Sequence, residues 1–274
     1  MWQATPTTVV HVGYARLFTP PPFQEGPPLN VILLNNYNNT GLTTSGFTPS
    51  TINSPVQVER ASLIDFGAIQ TLSGGLKLGA DFYYKYATNG VDFGQFGAPI
   101  ITIPFNYGFV INRGVELTAT YQSANLSYYG NLALAQQRAK GISSAQYNFS
   151  LSDLAAIDST SIPTDHSQLA TGSAGVSYLW GNTRFSADML GGTGTRTTLP
   201  GGTPNGASLA PYVQVNLSIQ QQFKLPYVGD FKARFDLINL FNAIYLLRSS
   251  TSIGAFTPAY GPGRTFFAGL TKEF

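Results

Sequence analysis

The stretch LKLGADFYYKY, from Leu76 to Tyr86, alternates between two kinds of side chain at every residue. Its even-numbered positions are apolar or aromatic, and its odd-numbered positions are mostly polar or small, with Lys77, Asp81 and Lys85 among them. Successive side chains of a β-strand point to opposite faces of the sheet, so this period of two predicts a strand with one apolar face and one polar face.

Other segments of the chain show the same alternation. In YVQVNLSIQQQF the apolar positions alternate with Gln, Asn and Ser, and in FKARFDLINLF they alternate mainly with Lys, Arg and Asp. The closing run GRTFFAGLTKEF keeps the pattern with two exceptions, Phe267 and Lys272. The predicted strands are Thr7–Phe18, Gln57–Leu72, Leu76–Thr88, Asn112–Gln122, Leu126–Arg138, Leu169–Trp180, Thr183–Arg196, Tyr212–Phe223, Phe231–Leu247 and Gly263–Phe274.

Long and short connections alternate between these ten segments. In an up-and-down antiparallel sheet, this order places every short turn at one end and every long loop at the other, which is typical of outer-membrane barrels. The sequence therefore predicts an all-β fold, an antiparallel up-and-down transmembrane β-barrel of about ten strands. The long connections are Thr19–Ser54, Asn89–Tyr107, Ala139–Ser167, Thr197–Ala210 and Ser249–Pro262.

Composition agrees with a sheet that faces lipid on one side. Only 10% of the residues are charged, against roughly 25% in an average soluble domain. The chain has no cysteine, which excludes disulfides, thiol nucleophiles and cysteine-based zinc sites. Its net charge of +2 gives no support for nucleic-acid binding. The longest apolar runs contain proline and fall short of the ~20 residues of a transmembrane helix.

Charged residues on the polar faces are expected in a wet barrel interior, because a charge on the lipid face near the midplane costs about 2–4 kcal/mol. Both signs are present, so cross-strand pairs that brace the wall are the expected use of most of them, and contact with a solute is the alternative. The residues assigned to the interior are Lys77, Asp81, Arg113, Glu116, Arg184, Asp188, Lys232, Arg234 and Asp236.

His11 and His166 are the only two histidines. The pair Asp165–His166, in the loop sequence PTDHSQ, could contact a metal or a metal chelate, but the interpretation we favour is a polar loop pair ahead of a strand. No Ser/His/Asp arrangement or HExxH motif occurs, and the run Gly191–Gly194 lacks the strand–helix context of a phosphate loop. We therefore predict no catalytic residue, no metal, no cofactor and no enzyme activity.

Five stretches resemble the C-terminal half of TonB-dependent outer-membrane receptors and occur in the family's order. They are GYARLFTPPPF (13–23), the run from VERASLIDF to GQFGAPI (58–100), NRGVELTATY (112–121), FKARFDLINLFNAIY (231–245) and GPGRTFFAGLTKEF (261–274). The resemblance implies a barrel of about twenty-two strands plugged by an N-terminal domain. Residues 1–274 would then be the C-terminal portion of the barrel, without the plug, the segment that engages TonB or the signal peptide.

The last strand resembles a further feature of bacterial outer-membrane proteins, which commonly end on an aromatic residue. This resemblance marks Gly269, Leu270 and Phe274 as an outer-membrane assembly signal, recognised by the barrel assembly machinery. Lys272 departs from the pattern, since an apolar residue is usual at that position.

The family implies energised uptake of a scarce solute, such as a ferric siderophore, across the outer membrane of a Gram-negative cell. The implied partners are outer-membrane lipid, the barrel assembly machinery, an extracellular solute, and TonB only through the missing plug; nucleic acid is not among them. The alternative is a small self-closing passive pore, which requires Thr7–Phe18 to pair with Gly263–Phe274. A soluble all-β binding protein, which would stay dispersed without detergent, is a third hypothesis. No ligand-binding residue is assigned.

Overall fold

A computed structural model describes residues 1–21, 56–96, 101–144, 149, 151–255 and 257–273. Strands dominate these residues, and one α-helix, α1 (Leu151–Ser159), lies among them. No helix in the described residues has the length and apolar character needed to cross a membrane. The strands are β1 (Trp2–Thr5), β2 (Thr8–Thr19), β3 (Glu59–Thr71), β4 (Lys77–Phe96), β5 (Ile101–Gln122), β6 (Leu126–Ser144), β7 (Ile162–Pro163), β8 (Ala170–Trp180), β9 (Thr183–Gly192), β10 (Arg196–Thr197), β11 (Ala207–Ser208), β12 (Tyr212–Leu225), β13 (Gly229–Ile238), β14 (Leu246–Arg248), β15 (Ala259–Tyr260) and β16 (Thr265–Glu273).

The long strands form one antiparallel sheet. Its order is β1-β2-β3-β4-β5-β6-β8-β9-β12-β13-β16, and β7 pairs with β6 outside this path. From β2 onward, neighbours in the sheet are consecutive predicted segments, so the up-and-down topology is confirmed. β1, which pairs with β2, is an additional strand that was not predicted, because its four residues are too few to show an alternation. Two ribbons, β10–β11 and β14–β15, stand apart from the main sheet.

The short connections of the main sheet gather at one end, as predicted. The turn between β3 and β4 is a 3-10 turn, Ser73–Gly75, in which Gly74 has a φ of 78°. Gly181 forms the turn between β8 and β9 with a φ of 58°, a left-handed conformation that glycine adopts without a Cβ clash. We call this side of the sheet the turn end and the opposite side the loop end.

Cross-strand register separates an apolar outer face from a polar inner face. One outer row consists of Val12, Phe66, Phe82, Val115 and Leu134, which lie opposite one another on β2 to β6. The adjacent inner row consists of His11, Gly67, Asp81, Glu116 and Ala133. Four of these five outer side chains are exposed, for example Val12 at 70% and Phe82 at 61%, and Val115 is half-buried. A row of exposed apolar side chains is the arrangement expected of a face in contact with lipid.

Two predicted long loops are largely regular structure. β4 and β5 pair along nearly all of Asn89–Tyr107, so that loop prediction is wrong. Asn89 has a left-handed φ of 52° inside β4, and the Gly and Pro residues of this stretch were interpreted as loop signals although Phe105 is a buried strand residue. In Ala139–Ser167, β6 continues to Ser144, and α1 and β7 follow.

The strand predicted over Phe231–Leu247 ends early, at Ile238. Asn239, with a φ of 53°, turns the chain and is fully buried. Its Nδ2 donates to the carbonyl oxygens of Ala243 and Pro262 at 2.9 Å each, and its Oδ1 accepts from the Ala243 N–H at 2.8 Å. One buried side chain therefore fixes this turn, and alternation alone gave no sign of it.

The described sheet does not close. β16 pairs with β13, β1 pairs with β2, and no pairing between β2 and β16 occurs within the described residues. β1 leads into the turn before β2, and β16 pairs antiparallel with β13, so both border strands run towards the turn end. The pairing required by a small self-closing pore is therefore absent from the described sheet, so that alternative is wrong for the described structure.

Candidate functional site

A compact apolar core lies at the loop end. Phe105 and Tyr107 of β5 are buried there against Phe149, Ile157 of α1 and Ile253. The ring centroid of Phe105 lies 5.0 Å from that of Tyr107 and 4.8 Å from that of Phe149, both edge to face. This packing holds the strand extensions, the helix and the β14–β15 connection together, so the loop end has a folded structure of its own.

Residues 249–255, which we call the mouth segment, connect distant parts of the loop end. The Gln95 N–H, near the end of β4, donates to the Gly254 carbonyl oxygen at 2.6 Å. The Ser252 hydroxyl donates to the Arg196 carbonyl oxygen at 2.7 Å, and the Ile253 N–H donates to Asn205 Oδ1 at 2.9 Å. The mouth segment therefore ties the β4–β5 pair to the β9–β12 connection on the inner side of the sheet.

Four ionisable side chains meet beside this segment, and we call them the mouth cluster: Asp92, Asp165, His166 and Arg248. His166 Nδ1 lies 2.8 Å from Asp165 Oδ1 and 3.8 Å from Asp92 Oδ1. Arg248 Nε lies 2.6 Å from Asp165 Oδ2 as an ion pair, and Arg248 Nη2 donates to the Phe93 carbonyl oxygen at 2.7 Å. The cluster joins β4, the β7–β8 connection and β14.

Hydrogen bonding fixes the charges of two members of the cluster. The bond to Asp165 raises the pKa of His166 to about 9 against the opposing effect of burial, and the Asp92 carboxylate adds to the rise. Burial alone would raise the pKa of Asp165, but the His166 hydrogen bond and the Arg248 charge outweigh it, and that pKa falls below its usual value. At neutral pH, His166 is a cation and Asp165 an anion.

The mouth cluster has the spacing of a metal site, but its charges favour ion pairing. Ligand atoms of Asp92, Asp165 and His166 lie within 4.8 Å of one another. Arg248 already supplies a positive charge against Asp165, and a metal ion would have to displace both that charge and the His166 proton. The predicted polar loop pair is therefore part of a larger cluster, and its partners Asp92 and Arg248 were missed because no local sequence pattern links them.

Most charges assigned to the interior occupy inner-face positions. Arg234 Nε lies 2.8 Å from Asp236 Oδ2, and Asp188 Oδ2 accepts a 2.7 Å hydrogen bond from Asn216. The Asp188–Asn216 contact joins β9 to β12 and fits the bracing role, whereas Arg234 and Asp236 pair within β13. The inner-face residues by register are Lys77, Asp81, Glu116, Arg184, Asp188, Lys232, Arg234 and Asp236.

Arg113 is the exception, and its assignment to the interior is wrong. It lies opposite Tyr84 and Gln136 on the outer face, and its Nη2 donates to Gln136 Oε1 at 2.8 Å. In NRGVELTATY, Arg113 shares its parity with Val115 and Leu117, which face outward. The charge type was given more weight than the alternation, which was the better guide.

His11 lies on the inner face of β2, where no partner was predicted for it. Its Nε2 is 2.8 Å from Asp81 Oδ1 and 3.5 Å from Asp65 Oδ2. Gly67 lies between them, and a Cβ at that position would collide with the Asp81 carboxylate. This contact joins three neighbouring strands and adds to the bracing of the wall.

The residues of the predicted assembly signal lie in or next to β16. Leu270 is 66% exposed and shares the outer face with Ala233, its partner on β13. Gly269 lies opposite Arg234, and a Cβ there would meet open space. Phe274 lies outside the described residues, so recognition of Gly269, Leu270 and Phe274 by the assembly machinery stays a prediction.

Many solved structures share this fold, and three of them illustrate the similarity. The ferric-catecholate import receptor Fiu of E. coli K12 has a TM-score of 0.61 and 13% identity, over 100% of this chain and 34% of that one. FpvA of P. aeruginosa, bound to a heterologous pyoverdine–iron complex, has a TM-score of 0.60 and 12% identity, over 98% and 31%. The copper transporter OprC has a TM-score of 0.58 and 16% identity, over 100% and 38%. The chain thus spans about a third of their length.

The sequence comparison agrees with the fold. No curated protein matches the chain. Residues 1–240 match the family described as TonB dependent receptor-like, beta-barrel, which covers most of the sequence. Members of this family are outer-membrane β-barrels of Gram-negative bacteria. The apolar outer face and polar inner face of this sheet agree with that location. The chain belongs to the TonB-dependent receptor-like β-barrel family and is a protein of the outer membrane.

Proposed function

We propose that residues 1–274 are the C-terminal portion of a barrel whose complete protein takes up a scarce solute by energised transport. The observation that carries this proposal is the family match over residues 1–240, on a sheet with an apolar outer face and a charged inner face. An N-terminal plug would carry the TonB contact, and this chain would supply wall and mouth. No step of the proposal requires a catalytic group.

A metal chelate, with a ferric siderophore as the first candidate, is the proposed solute. Support comes from the relatives of shared fold: Fiu is a ferric-catecholate import receptor, FpvA binds pyoverdine–iron, and OprC is a copper transporter. The folded loop end also supports it, because a mouth segment buried against Phe105 and Gln95 can present loop side chains to a large solute at the entrance.

Uptake of radioactive iron tests the proposal in cells that carry or lack the gene encoding this chain. A panel of ⁵⁵Fe-loaded catecholate, hydroxamate and pyoverdine-type siderophores is supplied under iron limitation. We expect one class to enter only when the gene is present, and to stop entering when TonB is deleted. Gene-dependent entry that persists without TonB would show a passive route, and unchanged uptake of every chelate would contradict the proposed solute class.

A further inference from the structure

The outer face of β2 to β5 changes character towards the loop end. The row of Tyr14, Ile64 and Tyr84 is apolar and aromatic, with Arg113 at its β5 end. In the next row Arg16 lies opposite Ser62, and in the row after it Phe18 lies opposite Arg60. Aromatic side chains mark the membrane interface of such barrels, so these arginines lie where lipid headgroups begin.

Among the residues that the structure describes, these outer-face cations have no acidic neighbour on their own face. The loop-end extension of β4 and β5 begins at Asn89. In the rest of β2 to β5, every acidic residue holds an inner-face position by register: Glu59, Asp65, Asp81 and Glu116. Within the described residues, the side chains of Arg16 and Arg60 are exposed and make no hydrogen bond or ion pair. Arg113 bonds to the neutral Gln136. The described part of the outer face is therefore positive, with no acidic side chain on it to compensate the arginines.

The two unpaired guanidinium groups border one concave site. A cavity of about 530 Å³ is lined by Arg16, Phe18, Arg60, Tyr86 and Thr88, among others. Arg16 and Arg60 stand diagonally on adjacent strands, a relation in which Cα atoms are about 7–8 Å apart. Like charges at this spacing repel, and one anion between them removes the repulsion. Phosphate suits this geometry, because a guanidinium can bind two of its oxygen atoms at once.

We propose that Arg16 and Arg60 bind the phosphorylated headgroup of a lipid in the outer leaflet. The position beyond the Tyr14–Tyr84 row selects a headgroup over a soluble anion, because the acyl chains would then lie on the exposed side chains of Val12, Phe66 and Phe82. The proposal requires the outer-membrane location of the chain and is independent of the solute it transports.

Binding of fluorescent bis-phosphorylated lipid A to the full-length receptor, extracted from outer membranes in mild detergent, tests this site. The parallel probes are dephosphorylated lipid A and inorganic phosphate. The variants are Arg16→Gln/Arg60→Gln and Arg16→Lys/Arg60→Lys. The matched control removes two inner-face arginines, Arg184→Gln/Arg234→Gln. Each preparation is first checked for a folded barrel by its heat-modifiable migration in a gel.

The wild type is expected to bind the phosphorylated lipid and to bind the dephosphorylated lipid weakly. At about 1 kcal/mol for each basic residue, the double Gln variant should bind about thirtyfold more weakly. The Lys variant should lose much less, and the inner-face control should match the wild type. If the double Gln variant does not fold, each single Gln variant should show a loss of about fivefold.

Three results would overturn the proposal. One is a folded Gln variant, double or single, that binds phosphorylated lipid as tightly as the wild type. A second is equal wild-type binding of phosphorylated and dephosphorylated lipid A. The third is displacement of the lipid by inorganic phosphate at concentrations equal to those of lipid A, which would show a site for a free anion.

Discussion

The membrane-crossing sheet and the loop end are stabilised in different ways. In the sheet, rows such as Val12–Phe66–Phe82 leave their side chains exposed to lipid, and stability comes from pairing between strands. At the loop end, Phe105 and Tyr107 are buried, and a charge cluster links β4, the β7–β8 connection and β14. Local alternation therefore specifies the first region, and contacts between residues distant in sequence specify the second.

The largest effect is expected from a substitution that disrupts the loop-end core and leaves the sheet intact. Phe105→Ala should cost about 3–5 kcal/mol locally, because it leaves a cavity where Tyr107 and Phe149 pack. Hydrogen exchange should rise at α1 and the mouth segment and stay unchanged in β2 and β3. Phe93→Ala, at an exposed position of β4, is the matched control. If the two variants showed the same hydrogen exchange at α1 and the mouth segment, the buried core would not be what stabilises the loop end.

A second substitution tests the two faces of the sheet on one strand. Leu134 lies on the outer face opposite Val115, and Ala133 lies on the inner face opposite Glu116. Leu134→Arg should cost about 2–4 kcal/mol in lipid, whereas Ala133→Arg gains a carboxylate neighbour. The amount of folded protein in outer membranes and its urea midpoint measure both. Equal damage from the two substitutions would contradict the assignment of faces.

The mouth cluster predicts a smaller effect that depends on pH. Because Asp165 raises the pKa of His166 from 6.5 to about 9, protonated His166 stabilises the folded loop end fully below pH 6.5. That contribution is lost as the pH rises through 9. Protease cleavage within the mouth segment should therefore increase over this range. His166→Gln should cleave at a rate that no longer changes with pH, and a wild-type rate that is flat over the same range would contradict the prediction.

The smallest effect concerns the turn end. Gly181→Ala should cost about 1 kcal/mol or slightly more, because Ala is strained at a φ of 58°. Gly130→Ala, in β6 where a Cβ meets open space, should be close to neutral. Urea unfolding in lipid vesicles compares the two variants. A larger loss for Gly130→Ala would show that the turn conformation is not what matters.

Much of the sheet could be predicted because its information is local. Ten segments with a period of two and sorted connection lengths identified the strands, their order and the polar face. Where a residue type was weighed against the period, as at Arg113, the period was right. Asn239 ended β13 through buried hydrogen bonds to Ala243 and Pro262, which alternation does not encode.

The site could be predicted only in part. The pair Asp165–His166 stood out in the sequence, but its contacts with Asp92 and Arg248 depend on two strands and one connection that are distant in sequence and meet in space. The continuation of β4 and β5 beyond Asn89 also depends on the core that covers Phe105. Neither feature leaves a repeating pattern along the chain.

The direction of the two border strands limits what can complete this wall. Within the described residues, the main path has eleven strands, and β1 and β16 run in the same direction. A cylinder in which all neighbours are antiparallel has an even number of strands, so only an odd number of others can finish this one. A second copy of the sheet would bring like-directed strands together at both seams. Each border strand can instead pair antiparallel with a strand that runs from the turn end to the loop end.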